Sequence, residues 1–156
     1  MAQKSLAAAQ YILNRRRAVR DTLSPMQLIK LAYIAHGFML GWRGEPLLDE
    51  QVQAWRYGPV VPSIYHAIKD FGSSPVSQIR GAPDDWHFSE EEMNVMNYVA
   101  DNYSSWDGIQ LSDATHQPDT PWSTTWGIFG QNAPISNDLI QNFYAGVIKS
   151  GISSAL

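Results

Sequence analysis

The chain has 156 residues, the usual length of one domain, and 44% of them are apolar, so a buried core is expected and a disordered chain is excluded. It contains no cysteine, which excludes disulfides, thiolate metal sites and a cysteine nucleophile and favours a cytoplasmic location. The net charge is −4, no apolar run reaches the roughly 18 residues of a transmembrane helix, and no basic segment precedes an apolar one as in a secretory signal, so no membrane association is expected.

The charged residues are unevenly distributed along the sequence. Residues 1–21 carry five basic side chains and one acidic one, whereas residues 22–156 carry six basic and fourteen acidic ones. Between Arg80 and Lys149 lie ten acidic residues and no Lys or Arg. Because nucleic-acid binding needs clustered basic side chains, we expect no specific nucleic-acid partner, and at most weak DNA binding by the arginine-rich residues 15–20. The acidic stretch either attracts a basic protein partner or serves only solubility.

The amino-terminal part of the chain predicts two helices. Residues 3–19 are rich in Ala, Leu and Arg and repeat apolar residues at helical spacing. A second helix begins where Ser24 can cap the first amides and Pro25 fits the first turn, and it ends near Gly44. Because this second helix is apolar on two faces, we expect it to be buried at the centre of the domain.

The next part predicts a strand and a short helix. Residues 51–57 alternate in polarity and predict one strand that ends at the Gly58-Pro59 dipeptide. A short helix opens at Pro62 and stops at Gly72. The stretch 73–87 contains Gly, Pro and Ser between short apolar pieces, which allows one or two further small strands.

The carboxy-terminal half predicts four helices. Ser89 and Glu92 form a capping box that opens the first of them, and Ser136 caps the last, which Gly151 closes. The four are placed at residues 89–104, 108–117, from 120 for one or two turns, and 136–150.

The predicted fold class is therefore mainly α. We expect a single compact domain over residues 1–156, with six to seven helices and a small β element near residues 51–57. No repeat, low-complexity tract or linker divides the sequence.

The sequence carries no recognisable catalytic or metal-binding motif. It lacks the H-E-x-x-H zinc motif, the G-x-S-x-G elbow, the phosphate-binding P-loop and the G-x-G-x-x-G fingerprint. His66 and Asp70 lie four residues apart, a spacing typical of a surface ion pair. Ser112 and His116 have the same spacing, which is frequent by chance in the absence of an orienting third group. We therefore expect no enzyme activity, metal or cofactor, with a cryptic metal-dependent hydrolase as a remote alternative.

Several aromatic and histidine side chains are candidates for a partner-binding surface. His36 lies on an apolar stripe of the second predicted helix and is either a core histidine or a pocket histidine. The same choice applies to Trp55, Tyr57 and Trp122, because Trp and Tyr either fill a core or anchor a partner.

The aromatic residues of the predicted strand and the next helix form one candidate cluster. Trp55 and Tyr57 share a face of the strand, and the helix after it carries Tyr65. His116 is expected to bring a polar group to this cluster. The cluster is either a core contact that fixes the strand to the helix or the floor of a groove for a partner segment. The candidate partner-binding residues, acidic ones included, are His36, Trp55, Arg56, Tyr57, Tyr65, Glu90, Glu91, Asp113, His116 and Trp122.

Three motifs in this sequence resemble those of a known family. The segment 26–37 (MQLIKLAYIAHG) is similar to the family's LQKLLYFAHG helix, and the segment 52–65 (VQAWRYGPVVPSIY) is similar to its AWxYGPVxPxVY signature. The segment 111–122 (LSDATHQPDTPW) resembles the LSxxTH element that precedes a Pro-Trp pair. In this order and spacing the three motifs resemble the Panacea antitoxin family, also called SocA-like or phage-associated GepA-like.

This resemblance implies a mostly helical domain that neutralises a cognate protein toxin by direct binding, without catalysis, in a toxin-antitoxin, prophage or phage context. The alternative functions are a phage-encoded inhibitor of host defence and a proteolytic adaptor. A homo-oligomer is compatible with the sequence, which contains no separate DNA-binding module beside the domain.

Overall fold

The computed structural model describes residues 2–150 and confirms a mainly α protein. Within this range, seven α-helices accompany a three-stranded sheet, and a 3-10 turn extends the third helix. The helices are α1 (Gln3–Ala18), α2 (Pro25–Arg43), α3 (Pro62–Ile68), α4 (Glu90–Tyr103), α5 (Gly108–Thr115), α6 (Pro121–Phe129) and α7 (Asn137–Ser150), and the strands are β1 (Val52–Trp55), β2 (Gly58–Val60) and β3 (Ala133–Ile135). None of the helices described in residues 2–150 is both long and apolar enough to cross a membrane.

The second helix, α2, lies at the centre of the core, as its two apolar faces predict. Every residue from Leu28 to Leu40 is buried, and the helix packs against α1, α4, α5 and α7. Its start is the predicted one, because Ser24 accepts a hydrogen bond from the amide of Gln27 while the Gln27 side chain accepts one from the amide of Ser24.

The last helix, α7, packs closely across α2. A Cβ atom at Gly41 would lie 2.7 Å from the backbone nitrogen of Ala145, so only glycine permits this approach. The fully buried Tyr144 lies with its ring centroid 6.0 Å from Tyr33 and 5.3 Å from Phe38. The aromatic rings therefore fill the contact between the two helices.

The helices of the carboxy-terminal half lie close to their predicted positions. Ser89 and Glu92 form the expected capping box of α4, and Ser136 accepts a hydrogen bond from the amide of Asp138 at the start of α7. Gly151, which is predicted to close α7, lies outside the described residues.

The sheet is larger than the single predicted strand. β1 lies between β2 and β3 and is antiparallel to both. The predicted strand over residues 51–57 is too long, because β1 ends at Trp55 and the turn is formed by Arg56 and Tyr57. Gly58 and Pro59, predicted to stop the strand, begin β2 instead. A Pro is tolerated there since β2 is an edge strand. β3 has three residues, too few for an alternating pattern to predict it.

The stretch 73–87 forms no strand, so the expectation of small strands there is wrong. Two of its apolar residues, Val76 and Ile79, are buried in the core without belonging to a helix or strand. The amide of Val76 donates a hydrogen bond of 2.8 Å to the carbonyl of Leu23. Pro75 and Pro83 have no amide hydrogen, which disfavours a continuous ladder in this segment.

Candidate functional site

Three side chains from three different helices hold the β1–β2 hairpin through its main-chain oxygens. Each donates to one of the alternate carbonyls at positions 55, 57 and 59. The pairs are Trp122 Nε1 with the oxygen of Trp55 at 2.6 Å, Ser112 Oγ with that of Tyr57 at 2.5 Å, and Lys30 Nζ with that of Pro59 at 2.7 Å. We call Lys30, Ser112 and Trp122 the hairpin clamp. It joins α2, α5 and α6 to one hairpin and fixes the hairpin's position in the fold.

Lys30 is the buried member of the hairpin clamp. Lys30 is 1% exposed, and none of the carboxylates in the described part of the chain forms a salt bridge with it. Burial lowers the pKa of Lys30 to about 7. A Cβ atom at Gly58 would lie 3.0 Å from Lys30 Nζ, and Gly58 has a φ of 117°, so both space and backbone favour glycine there.

Aromatic side chains line the outer side of this junction. The rings of Trp55 and Tyr65 are 4.8 Å apart, and the ring of Trp122 lies 5.2 Å from His116 and is stacked 5.3 Å from Trp126. All five side chains are half-buried. We call these five residues the aromatic ladder; the hydrogen bond from the Trp122 indole to the Trp55 carbonyl joins its two groups of rings, and its Trp and Tyr side chains pack partly on the core.

The hairpin tip projects away from the core. Arg56 and Tyr57 are both exposed, and the guanidinium of Arg56 lies 5.4 Å from the centre of the Tyr57 ring. Tyr57 is 59% exposed although its own carbonyl is held by Ser112. The hairpin clamp thus fixes the backbone of the tip while its two side chains stay available for contact.

His36 lies apart from the aromatic ladder, inside the core. Its Nδ1 accepts hydrogen bonds from the amides of Leu47 and Leu48 at 3.3 and 3.1 Å, so the ring proton sits on Nε2, 3.0 Å from Asn137 Oδ1. Burial lowers the pKa of His36 to about 4. The structure therefore places His36 as a neutral core histidine that joins α2 to α7.

The acidic candidates lie on two different helices. Asp113 is exposed on α5, where its carbonyl accepts the amide of His116 at 3.4 Å, close to the aromatic ladder. Glu90 and Glu91 lie in the first turn of α4, and Glu91 is 3.9 Å from Arg43. The three acidic candidates therefore belong to two separate elements of the fold.

The carboxyl end of α6 carries apolar residues that the sequence reading did not single out. Ile128 and Phe129 are 69% and 73% exposed, and Trp126 extends the aromatic ladder toward them. The signal was present in the sequence, since Pro121–Phe129 contains no charged residue.

The arginines at the end of α1 are engaged within the domain. Arg15 forms a salt bridge of 2.6 Å with Asp101, and Arg16 pairs with Asp21 at 3.0 Å and with Asp101 at 3.4 Å. The guanidinium of Arg17 donates a hydrogen bond to the carbonyl of Ser77. Carboxylates therefore offset part of the positive charge of this helix end.

The metal site and the Ser112–His116 pair considered from the sequence can both be compared with the structure of residues 2–150. No three His, Asp or Glu residues of this range are placed so that they could hold a metal ion. The hydroxyl of Ser112 donates to the Tyr57 carbonyl, and His116 Nδ1 contacts the carbonyl oxygen of Ser112 rather than its hydroxyl. Ser112 and His116 thus have structural hydrogen bonds in place of a nucleophile–base contact.

Comparison with known proteins identifies the family. The family model "Antitoxin SocA-like, Panacea domain" matches residues 28–123, a range that includes the whole hairpin clamp. Antitoxin SocA of Caulobacter vibrioides (strain NA1000 / CB15N) is 36% identical over 66 residues, which are 42% of this chain and 35% of that protein. The matched region thus spans about a third of that relative's length. No solved structure gives a match. The chain belongs to the SocA-like Panacea antitoxin family.

Proposed function

We propose that this protein neutralises a protein toxin by binding directly to it, without catalysing a reaction. The family membership supports the antitoxin role. The observation that carries the binding mechanism is the hairpin clamp, which fixes the backbone of the hairpin while Tyr57 remains 59% exposed at its tip. A rigid loop with an exposed aromatic side chain loses little entropy on binding, which favours affinity.

The binding surface that we propose combines two kinds of contact. Tyr57 and the aromatic ladder supply aromatic anchors and Arg56 a charged one, and such residues typically carry most of the affinity of an interface. The acidic residues Glu90, Glu91 and Asp113 supply negative charge that attracts a basic partner before contact. Anchors act mainly on dissociation and charges mainly on association, so the two contributions are separable by experiment.

The experiment uses the product of the gene adjacent to this one as the candidate toxin. Cells expressing that gene from an inducible promoter are scored for growth with and without this protein, and the two purified proteins are tested for a complex. We expect growth to be restored and a stable complex to form while the amount of toxin in the cells stays constant. Toxicity that persists, or rescue without any complex, would contradict direct neutralisation.

The toxin level separates direct binding from delivery to a protease. If growth returns only because the toxin disappears, and if a protease-deficient strain abolishes the rescue, the protein is a proteolytic adaptor instead. Glu45→Gln is a suitable control for variants that neutralise the acidic residues of the proposed surface. Glu45 is exposed and has no salt-bridge partner among the described residues, so this change should leave the rescue intact.

A further inference from the structure

The carboxyl end of α6 exposes two adjacent large apolar side chains. Ile128 is 69% and Phe129 73% exposed, next to the half-buried Trp126. Within residues 2–150 the indole N–H of Trp126 has no hydrogen-bond partner, in contrast to that of Trp122, which donates to the hairpin. Apolar side chains next to an available donor are a common arrangement in the centre of protein interfaces.

The opposite end of α6 is acidic. Asp119 is exposed and lies just before the N-cap residue Thr120, whereas α6 itself carries no charge. No Lys or Arg occurs between Arg80 and Lys149. A helix of nine residues is about 13 Å long, so Asp119 lies about that distance along α6 from the exposed apolar residues at its other end.

We propose that this face of α6 binds an apolar segment of the toxin that carries a Lys or Arg about 13 Å from its apolar anchor. The inference rests on the proposed function and specifies which kind of toxin segment binds to α6. The apolar anchor covers Ile128 and Phe129, one of its carbonyls accepts the indole N–H of Trp126, and the basic residue faces Asp119.

The charge pattern favours this occupant over a second copy of the chain. If two copies paired through α6 about a twofold axis, Asp119 of each would face either Asp119 or the apolar residues Ile128 and Phe129 of the other, and its charge would stay uncompensated. Nucleic acid is disfavoured for the same reason, since its phosphates need basic side chains.

The test compares two variants in the full chain, with the product of the adjacent gene as the partner. Phe129→Ser removes the proposed anchor, and Ile109→Ser is its matched control, because Ile109 on α5 is also 73% exposed. We expect Phe129→Ser to weaken the complex by roughly tenfold or more through faster dissociation, and Ile109→Ser to bind like the wild type. Both variants should melt like the wild type, because the two side chains are exposed.

A further variant tests the basic residue of the partner. Asp119→Asn should slow association at low salt and leave dissociation unchanged, and an unchanged association rate would overturn the claim of a basic residue opposite Asp119. Phe129→Ser binding as tightly as the wild type would overturn the inference and leave the proposed function standing. Failure of the wild type to bind any toxin would overturn both. A dimer of the free protein that Phe129→Ser converts to monomer would also overturn it, since a second copy would then be the occupant.

Discussion

Lys30 Nζ donates a hydrogen bond of 2.7 Å to the carbonyl of Pro59, deep in the core and 29 residues further along the chain. A buried amine without a carboxylate partner is costly to keep charged, and burial lowers the pKa of Lys30 to about 7. Its place in the hairpin clamp explains why a charged residue stands in an otherwise apolar stretch of α2. The bond joins the central helix to the backbone of the hairpin.

The lowered pKa of Lys30 predicts that stability rises with pH. The unfolded chain has a normal lysine, with a pKa near 10.5, and therefore binds more protons than the folded chain between pH 7 and 10.5. Raising the pH from 7 to 9 should increase the free energy of unfolding by about 2 kcal/mol. Urea unfolding at these two pH values measures this change.

The control for this prediction is a lysine at the surface. Lys30→Met should remove the increase, whereas Lys69→Met, at an exposed position, should retain it. The measurement stays below pH 9.5, because the pKa values of Tyr33 and Tyr144 are raised by burial and ionisation of these residues in the unfolded chain lowers stability at higher pH. An equal slope in Lys30→Met and wild type would contradict the assignment.

His36 predicts a loss of stability on the acid side. Its pKa is about 4 in the folded protein and near 6.5 in the unfolded chain, so the unfolded chain binds more protons between these values and stability falls as the pH is lowered through this window. From pH 6.5 to pH 5 the loss should be about 1.5 kcal/mol. In an NMR titration the His36 ring should stay neutral above pH 5; a midpoint above 6 would refute the buried, neutral assignment.

Trp122 and Trp126 provide a matched pair for the hairpin clamp. Trp122→Phe keeps most of the ring but removes the donor to the Trp55 carbonyl, and it should cost about 1–3 kcal/mol of stability. Trp126→Phe removes an indole N–H that has no partner among the described residues, so it should cost clearly less. Urea unfolding of both variants compares them directly, and equal costs would show that the Trp122 hydrogen bond contributes nothing.

The acidic residues predict a change in association kinetics alone. Neutralising Glu90, Glu91 and Asp113 together should slow binding to the toxin at low salt and flatten the dependence of the association rate on salt. The dissociation rate should change little, because these side chains are exposed. Stopped-flow measurements at several salt concentrations test this, and a change confined to dissociation would mean that the acids make direct contacts instead.

Much of the fold could be predicted because its signals are local. The Ser24 and Ser89 capping boxes involve residues three positions apart, and both helices begin where the sequence places them. The third strand depends on pairing between Val52 and Ile135, which no local pattern specifies. Elements set by neighbours in the sequence were therefore predicted, and those set by distant pairing were missed.

The candidate site shows the same division. Of the aromatic residues named from the sequence, Trp55, Tyr65 and Trp122 do lie together, whereas Tyr57 does not share a strand face with Trp55 and is exposed in the turn. The hairpin clamp was not predicted, because its three donors lie 29, 55 and 67 residues from their acceptors. A lysine in an apolar helix is a feature that the sequence does show. Its partner could not be predicted, because a backbone oxygen is present at every residue and no residue type identifies this one.

The most direct test of the account is the affinity of Tyr57→Ala for the toxin, measured together with the stability of the variant. Tyr57 is 59% exposed and its ring contacts only the exposed Arg56 among the ring contacts of the described residues, so the thermal midpoint should stay within a few degrees of the wild type. We predict a loss of about 2 kcal/mol or more in binding free energy, through faster dissociation. Unchanged affinity in a fully folded variant would contradict the claim that the clamped hairpin presents the toxin-binding anchor.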